Sequence, residues 1–281
     1  MLGKMLYQYL INHDCRVFTC GRDDICDIQY DMKYVKVPTI PAGLNIDIIF
    51  HCASAFADDS LSGCIHNEQI NALSSYIVGE IASITGCKHL IYAGSISSCL
   101  PSSSSTMTSY GASKLRAEDI LEWSLTQKKI AFTSLRFPQL YDVHGECCKH
   151  QMWLGRIVAY AYAGQKLRMP GGNAKRNFLH IDDAVCLMHA AMKNTVIGRL
   201  TLSHPVSLTT EEIAKQAYDI FNNGGFYEIA SEKPPFRDVF IPESTNSFEL
   251  LKYQPHISIC DGLTMIKSSG SAQKFGPMDV I

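Results

Sequence analysis

Apolar and polar positions along the chain switch repeatedly between two periods. Met1, Leu2, Met5, Leu6, Tyr9 and Leu10 recur at helical spacing and predict a helix over residues 1–12. A short strand follows at 15–20. Residues 46–53 (IDIIFHCA) and 89–94 (HLIYAG) are almost unbroken apolar runs, as in strands covered on both faces of a parallel sheet. Between and after them, 67–85 and 110–126 read as helices and 130–135 as a strand. Helix and strand alternating at this spacing predict βαβ units, hence an α/β fold with a doubly wound parallel sheet. Beyond residue 141 the pattern changes to helices at 153–163, 182–193 and 209–222 with short strands between. That divides the chain into a sheet domain at 1–141 and a smaller, mainly substrate-binding lobe at 142–281, placed to cap the carboxyl ends of the strands, where ligands of open α/β sheets bind.

Composition narrows the class. At 281 residues the chain can bury a sizeable core. It has no apolar run of the roughly 18 residues needed for a membrane span, and no secretory leader at its start. The net charge of −2, with no basic block, argues against nucleic-acid binding. Eleven cysteines without a Cys-x-x-Cys read as reduced, buried thiols of a cytoplasmic protein, and ten dispersed histidines lack the spacing of a metal site. The 102–105 stretch is serine-rich, and a Gly/Ser-containing tail follows Lys267.

Candidate chemistry centres on Ser109-Tyr110-Gly111-Ala112-Ser113-Lys114. Tyr110 and Lys114 are four apart at a helix start and share one face. An ammonium beside a phenol lowers the phenol's pKa, and a phenol so tuned can exchange a proton with an alcohol or sugar oxygen. Ser95, just past the 89–94 strand, stands at the carboxyl edge of the sheet, where a hydroxyl can hold the reacting oxygen.

The set Ser95, Tyr110 and Lys114 resembles the extended short-chain dehydrogenase/reductase family, the NAD-dependent nucleotide-sugar epimerases, dehydratases and reductases. The likeness continues through Asp47 to Ala53, Asn71, Leu135 to Tyr141, Arg176 to Ala184, and the closing stretches Leu250 to Pro255 and Asp261 to Leu263. It implies Tyr110 as acid/base, Lys114 as its tuner and ribose ligand, and Ser95 as holder of the reacting hydroxyl or keto oxygen. Ala53 and Pro138 would line the cofactor groove, and Gln139 and Arg176 would face the substrate, for which a guanidinium suits a pyrophosphate. Asn71 is expected to be a buried structural hydrogen bonder, and Asp182 or Asp183 a helix cap.

Of the family's Gly-x-x-Gly-x-x-Gly loop, only Gly3 matches, as the third glycine. The end of the second strand, about 18 residues on, falls at Gly21-Arg22. Arg22 could meet a 2′-phosphate, which favours NADP over NAD. On this count the first, central strand lies outside the chain. Its omission predicts neighbouring strands about 9–10 Å apart with unpaired main-chain groups, hence an unstable or weakly cofactor-binding chain and a start farther upstream or a truncated product. Ile96-Ser97 after Ser95 offers no carboxyl pair for a dehydratase. The resemblance leaves a sugar epimerase and a keto-sugar reductase, with surface polysaccharide synthesis as the setting, and carries over a homodimer through the helices near Asn67 and Tyr110. The alternative is a non-catalytic binding or regulatory protein.

Overall fold

The computed structural model describes residues 1–150 and 152–278. Chain order begins α1 (Leu2–Ile11), β1 (Cys20–Gly21), β2 (Ile28–Gln29), β3 (Ile48–His51), α2 (Leu61–Asn67) and, after a π-helical turn over Glu68–Leu73, α3 (Ser74–Ile84). It continues with β4 (His89–Ser95), α4 (Ser109–Gln127), β5 (Ala131–Phe137), β6 (Gln139–Tyr141), α5 (Met152–Ala163), β7 (Leu167–Met169), β8 (Lys175–Arg176) and β9 (Phe178–His180). Last come α6 (Ile181–Lys193), β10 (Gly198–Thr201), β11 (Leu208–Thr209), α7 (Thr210–Phe221), β12 (Tyr227–Ile229), α8 (Thr245–Leu251) and α9 (Ile259–Ser268).

The main sheet is parallel, in the order β10-β5-β4-β3. Strand alternation sends its side chains to two faces. Leu90, Tyr92 and Phe132 pack under α3 and α4 with Val78, Ala82, Ala117, Leu121 and Leu125. Ile91, Ala93 and Leu135 pack on the other face with Leu6 and Leu10 of α1 and Leu187, Met188 and Ala191 of α6. Both faces are therefore covered, as a doubly wound α/β sheet requires.

The helix expected over 1–12 forms as α1. The strand expected over 15–20 is reduced to Cys20–Gly21, which pairs with β2 in a separate two-stranded sheet. Strands persist where a neighbour satisfies their main chain, and here that neighbour, Ile28–Gln29, is two residues long. Residues 15–19 run without strand pairing, and β3 forms the edge of the main sheet among the described residues.

After Tyr141 the chain builds a second core from Leu154, Ile157 and Val158 of α5, Phe178, Ile213, Phe221, Leu263 and Ile266. The division at residue 141 is not followed throughout, because α6 packs on the main sheet and β10 extends it. The expected Gly/Ser tail is packed rather than loose: Ala272 and Phe275 are buried in the second core. Asp183 does not cap α6. Its carboxylate accepts from Tyr253 Oη (2.7 Å) and from the amides of His256 and Ile257, tying α6 to the closing segment. His180 is the N-cap instead, its Nδ1 accepting from Asp182 N at 3.3 Å.

All eleven cysteines are free thiols. Burial pushes the Cys148 thiol up to about 12 and raises Cys147 further, which makes that vicinal pair poor nucleophiles. No cluster of three or more metal-ligating side chains occurs among the described residues, and no described helix is long and apolar enough to cross a membrane.

Candidate functional site

Three elements meet at the carboxyl edge of the sheet. β4 ends at Ser95, in register with Phe137 at the end of β5. Ser95 is buried, and its hydroxyl accepts from the amide of Ser97 at 3.2 Å, which starts a tight turn over Ile96–Cys99. α4 begins beside that turn, with Thr108 as N-cap accepting from Gly111 N at 3.1 Å. A Cβ on Gly111 would lie 2.6 Å from the Ser97 carbonyl oxygen, so glycine after Tyr110 is what lets the helix start touch the turn behind Ser95.

Tyr110 and Lys114 lie in the first turns of α4, as expected. Lys114 is 1% exposed, and its Nζ donates to the carbonyl oxygen of Ala93 at 2.7 Å. The ammonium also stands 4.1 Å from the centre of the Tyr92 ring. Burial pulls its pKa down to about 7, against the opposing pull of Glu118 and Cys52. The expected lowering of the Tyr110 pKa by Lys114 is not what the structure gives. Burial raises it, and the hydroxyls of Ser54 and Ser95, which reach the phenol, offset part of that rise. The phenol thus sits between two serine hydroxyls, with Phe56 packed against its ring at 4.8 Å.

The loop after β3 is held against α4 by two asparagines. Asn71 Oδ1 accepts from Ala55 N (2.8 Å) and Ser54 Oγ (3.1 Å), while its Nδ2 donates to Ala55 O and to Ser113 Oγ (2.9 Å). One turn earlier Asn67 does the same for Ala57, and its Nδ2 donates to Ser109 Oγ at 2.9 Å. Asn71 is accordingly the buried structural hydrogen bonder expected. Asn67 and Ser54 escaped the sequence reading, although Ser54 directly follows Ala53. Glu118 escaped it too; its spacing of four from Lys114 was the available signal.

The remaining candidates lie on several other elements. Ala53 is exposed in the loop after β3. Pro138 is buried between β5 and β6, and Gln139 opens β6 opposite Phe178, with its Oε1 buried and lacking a hydrogen-bond partner. Gly3 lies in the first turn of α1, where a Cβ would meet Cys52 Cβ at 3.4 Å, so the helix start seats closely on the chain leaving β3. Arg22 is exposed in the turn between β1 and β2, outside the main sheet. Arg176 is buried, and its guanidinium donates to the carbonyl oxygens of Lys175 (2.9 Å) and Arg237 (2.6 Å). Arg237 reaches from the second lobe to the carbonyl oxygen of Thr106 in the serine-rich loop before α4.

The sequence model of the NAD dependent epimerase/dehydratase family matches residues 1–200. The chain belongs to this family. No curated protein matches it in sequence. Among solved structures, this epimerase/dehydratase-family chain is similar to the UDP-N-acetylglucosamine 4-epimerase of Bacillus cereus, with 19% identity over 96% of this chain and 95% of that one and a TM-score of 0.79. It is also similar to RMD from Pseudomonas aeruginosa complexed with NADPH (16% identity, 97% and 96% covered, TM-score 0.77). A third is the UDP-glucose 4-epimerase of Thermotoga maritima with UDP-glucose (17% identity, 96% of each chain covered, TM-score 0.72). At these identities the likeness establishes a shared Rossmann-type fold.

Proposed function

We propose that the chain is a nicotinamide-dinucleotide-dependent oxidoreductase or epimerase acting on a nucleotide-linked sugar or keto-sugar. The observation that carries this is the gathering of Tyr110, Lys114 and the Ser95 hydroxyl at the carboxyl edge of the sheet. Family membership and the ligands named for similar structures, UDP-glucose and NADPH, support it.

The residues around the nicotinamide end fit such a group. Lys114 commits one ammonium proton to Ala93 and keeps two for ribose hydroxyls. The Ala53–Ser54 loop presents open main chain beside Tyr110. Gly3 and the start of α1 are the matching pieces toward the pyrophosphate, and Arg22 toward a 2′-phosphate. When bound, the nicotinamide ring supplies or accepts a hydride. Tyr110 moves the proton: it gives its phenolic hydrogen to a keto oxygen as the carbon is reduced, or takes the hydroxyl proton back as the carbon is oxidised. Ser95 donates to the same oxygen and holds it toward Tyr110. Tyr110 is protonated near neutrality, as donation to a keto group requires, although burial, by raising its pKa, makes it the weaker acid; Arg22 is what favours the reductive reading and NADPH. Gln139 and the lobe of α5, α7 and β7–β9 would frame the sugar and its diphosphate. Pairing of two copies through α2–α3 and α4 belongs to the same proposal, with Leu61, Ile65, Tyr76 and Trp123 exposed on those helices.

The test is a fluorescence titration with NADPH and NADH, followed by turnover on a panel of nucleotide-diphosphate sugars and their keto forms. NADPH binds more tightly than NADH, and Tyr110→Phe keeps the binding while kcat falls about 10²–10⁴-fold. Absence of binding to either dinucleotide, or undiminished turnover in Tyr110→Phe, overturns the proposal.

A further inference from the structure

One buried carboxylate lies behind the candidate site. Glu118 is 0% exposed and sits one helical turn beyond Lys114 on α4. Its Oε1 accepts from Ser134 Oγ (2.6 Å), Arg136 Nε (3.0 Å) and Ser98 Oγ (3.3 Å), and its Oε2 from Arg136 Nη2 (2.5 Å). Ser98 has one hydroxyl proton, shared between Glu118 Oε1 and the nearer carbonyl oxygen of Ser95 at 2.7 Å. Gly94 clears the space for this cluster: a Cβ there would meet Ser134 Oγ at 2.4 Å and Glu118 Oε1 at 2.9 Å. The carboxylate thus touches the helix, the turn after Ser95 and the neighbouring strand at once.

We propose that Glu118 is a positioning residue of the candidate site: it locks the helix bearing Tyr110 and Lys114 to the strand end bearing Ser95 and supplies the negative charge next along the helix from the Lys114 ammonium. The inference rests on the reading of Tyr110 and Lys114 as the proton-handling pair. A buried ion pair is weak support for stability, because desolvation offsets much of its attraction, so a carboxylate this deep calls for another role. The charges around it are unevenly placed. Arg136 bonds it bidentately from β5, and Arg199 of β10 approaches to 3.7 Å while also pairing with Asp119 and Glu122. Lys114 is faced by Glu118 on its own helix, by Cys52 and the neutral His51 of the β3 end, and by Tyr92 of β4. Burial works against the ammonium, and Glu118 is the strongest influence that favours it.

The titration of Lys114 tests this directly. Protein carrying ¹³C at lysine Cε is followed by NMR from pH 5 to 10 without cofactor or substrate, and the Lys114 resonance is identified by its loss in Lys114→Met. In Glu118→Gln the midpoint falls by about one pH unit, a roughly tenfold lower protonation constant, and Glu118→Asp restores most of it. Should Glu118→Gln fail to fold because Arg136 is left unpaired, the double variant Glu118→Gln/Arg136→Gln removes both charges; because the lost Arg136 cation partly offsets the lost carboxylate, a smaller fall in the same direction is expected there. A midpoint that stays at the parental value in the folded Gln variant, or in the double variant, overturns the inference. Because no dinucleotide is present, failure of the enzymatic reading shows separately, as absence of NADPH binding by the parent protein.

Discussion

The β4–β5 pair and the β1–β3 region are held very differently. β4 and β5 pair over seven positions from His89↔Ala131 to Ser95↔Phe137, with Leu90, Ile91 and Leu135 fully enclosed. β3 meets β4 over four positions and is mostly half-buried, and β1 and β2 share only two positions in a sheet of their own. Ser95, Tyr110 and Lys114 all hang from the first region, whereas Arg22 and Ala53 belong to the second, and Gly3 seats α1 on the chain leaving β3. The half of the site that would handle protons therefore rests on a firmly paired frame, and the half that would hold the dinucleotide rests on a lightly paired one.

The contrast can be broken most forcefully from its strong side. Leu135→Ala is expected to cost about 2–5 kcal/mol in urea denaturation, because it opens a cavity between α1, α6 and the sheet. Val17→Ala, packed against the same cluster from the unpaired stretch, should cost about 1 kcal/mol or less. Equal losses would show the two regions to be equally rigid.

A second test uses His51, at the junction of the two regions. Burial, with Lys114 nearby, pushes its pKa down to about 3, and its Nε2 has no hydrogen-bond partner. The unfolded chain therefore binds the extra proton between about pH 6.5 and 3, so stability is fully present above that window and falls as pH drops through it. Urea midpoints measured from pH 7 to 4 should show this loss, about 2–4 kcal/mol, and His51→Asn should flatten the slope by about 1.4 kcal/mol per pH unit. An unchanged slope would place His51 in contact with water.

The smallest effect is expected at the rim of the strong side. Glu80→Gln removes the half-exposed ion pair with Lys128 that joins α3 to α4, and should change stability by about 0.5 kcal/mol or less. A larger loss would mean that the frame depends on its surface charges as well as its core.

Much of the strong region was legible in the sequence. The runs at 89–94 and 130–135 and the helix at 110–126 are long and uniform in period, and they form within two residues of the expected ends. Ser95, Tyr110 and Lys114 could be placed on the fold because they lie at or near the ends of those elements. The weak region was legible only in composition: residues 15–20 have the makeup of a strand, but pairing is a property of neighbours far along the chain. The return of β10 to the sheet was hidden for the same reason, since Gly198–Thr201 is too short to show a period. The two-asparagine clamp and the hydrogen bonds of Glu118 depend on partners 10 to 42 residues away, such as Ala57, Ser134 and Ser113, which no local pattern announces.

The asparagine clamp also constrains how the chain can change length. Asn67 to Ser109 and Asn71 to Ser113 are two rungs with the same offset, one turn apart on both helices, and the loop from Ser54 to Ala57 is stitched to the same two side chains. Three segments far apart in sequence thus share one spacing. Insertions and deletions can accumulate in the serine-rich loop, but a single residue gained or lost between Asn67 and Asn71, or between Ser109 and Ser113, would put one rung out of phase with its partners. Among diverging copies of this gene, those two intervals should not drift in length.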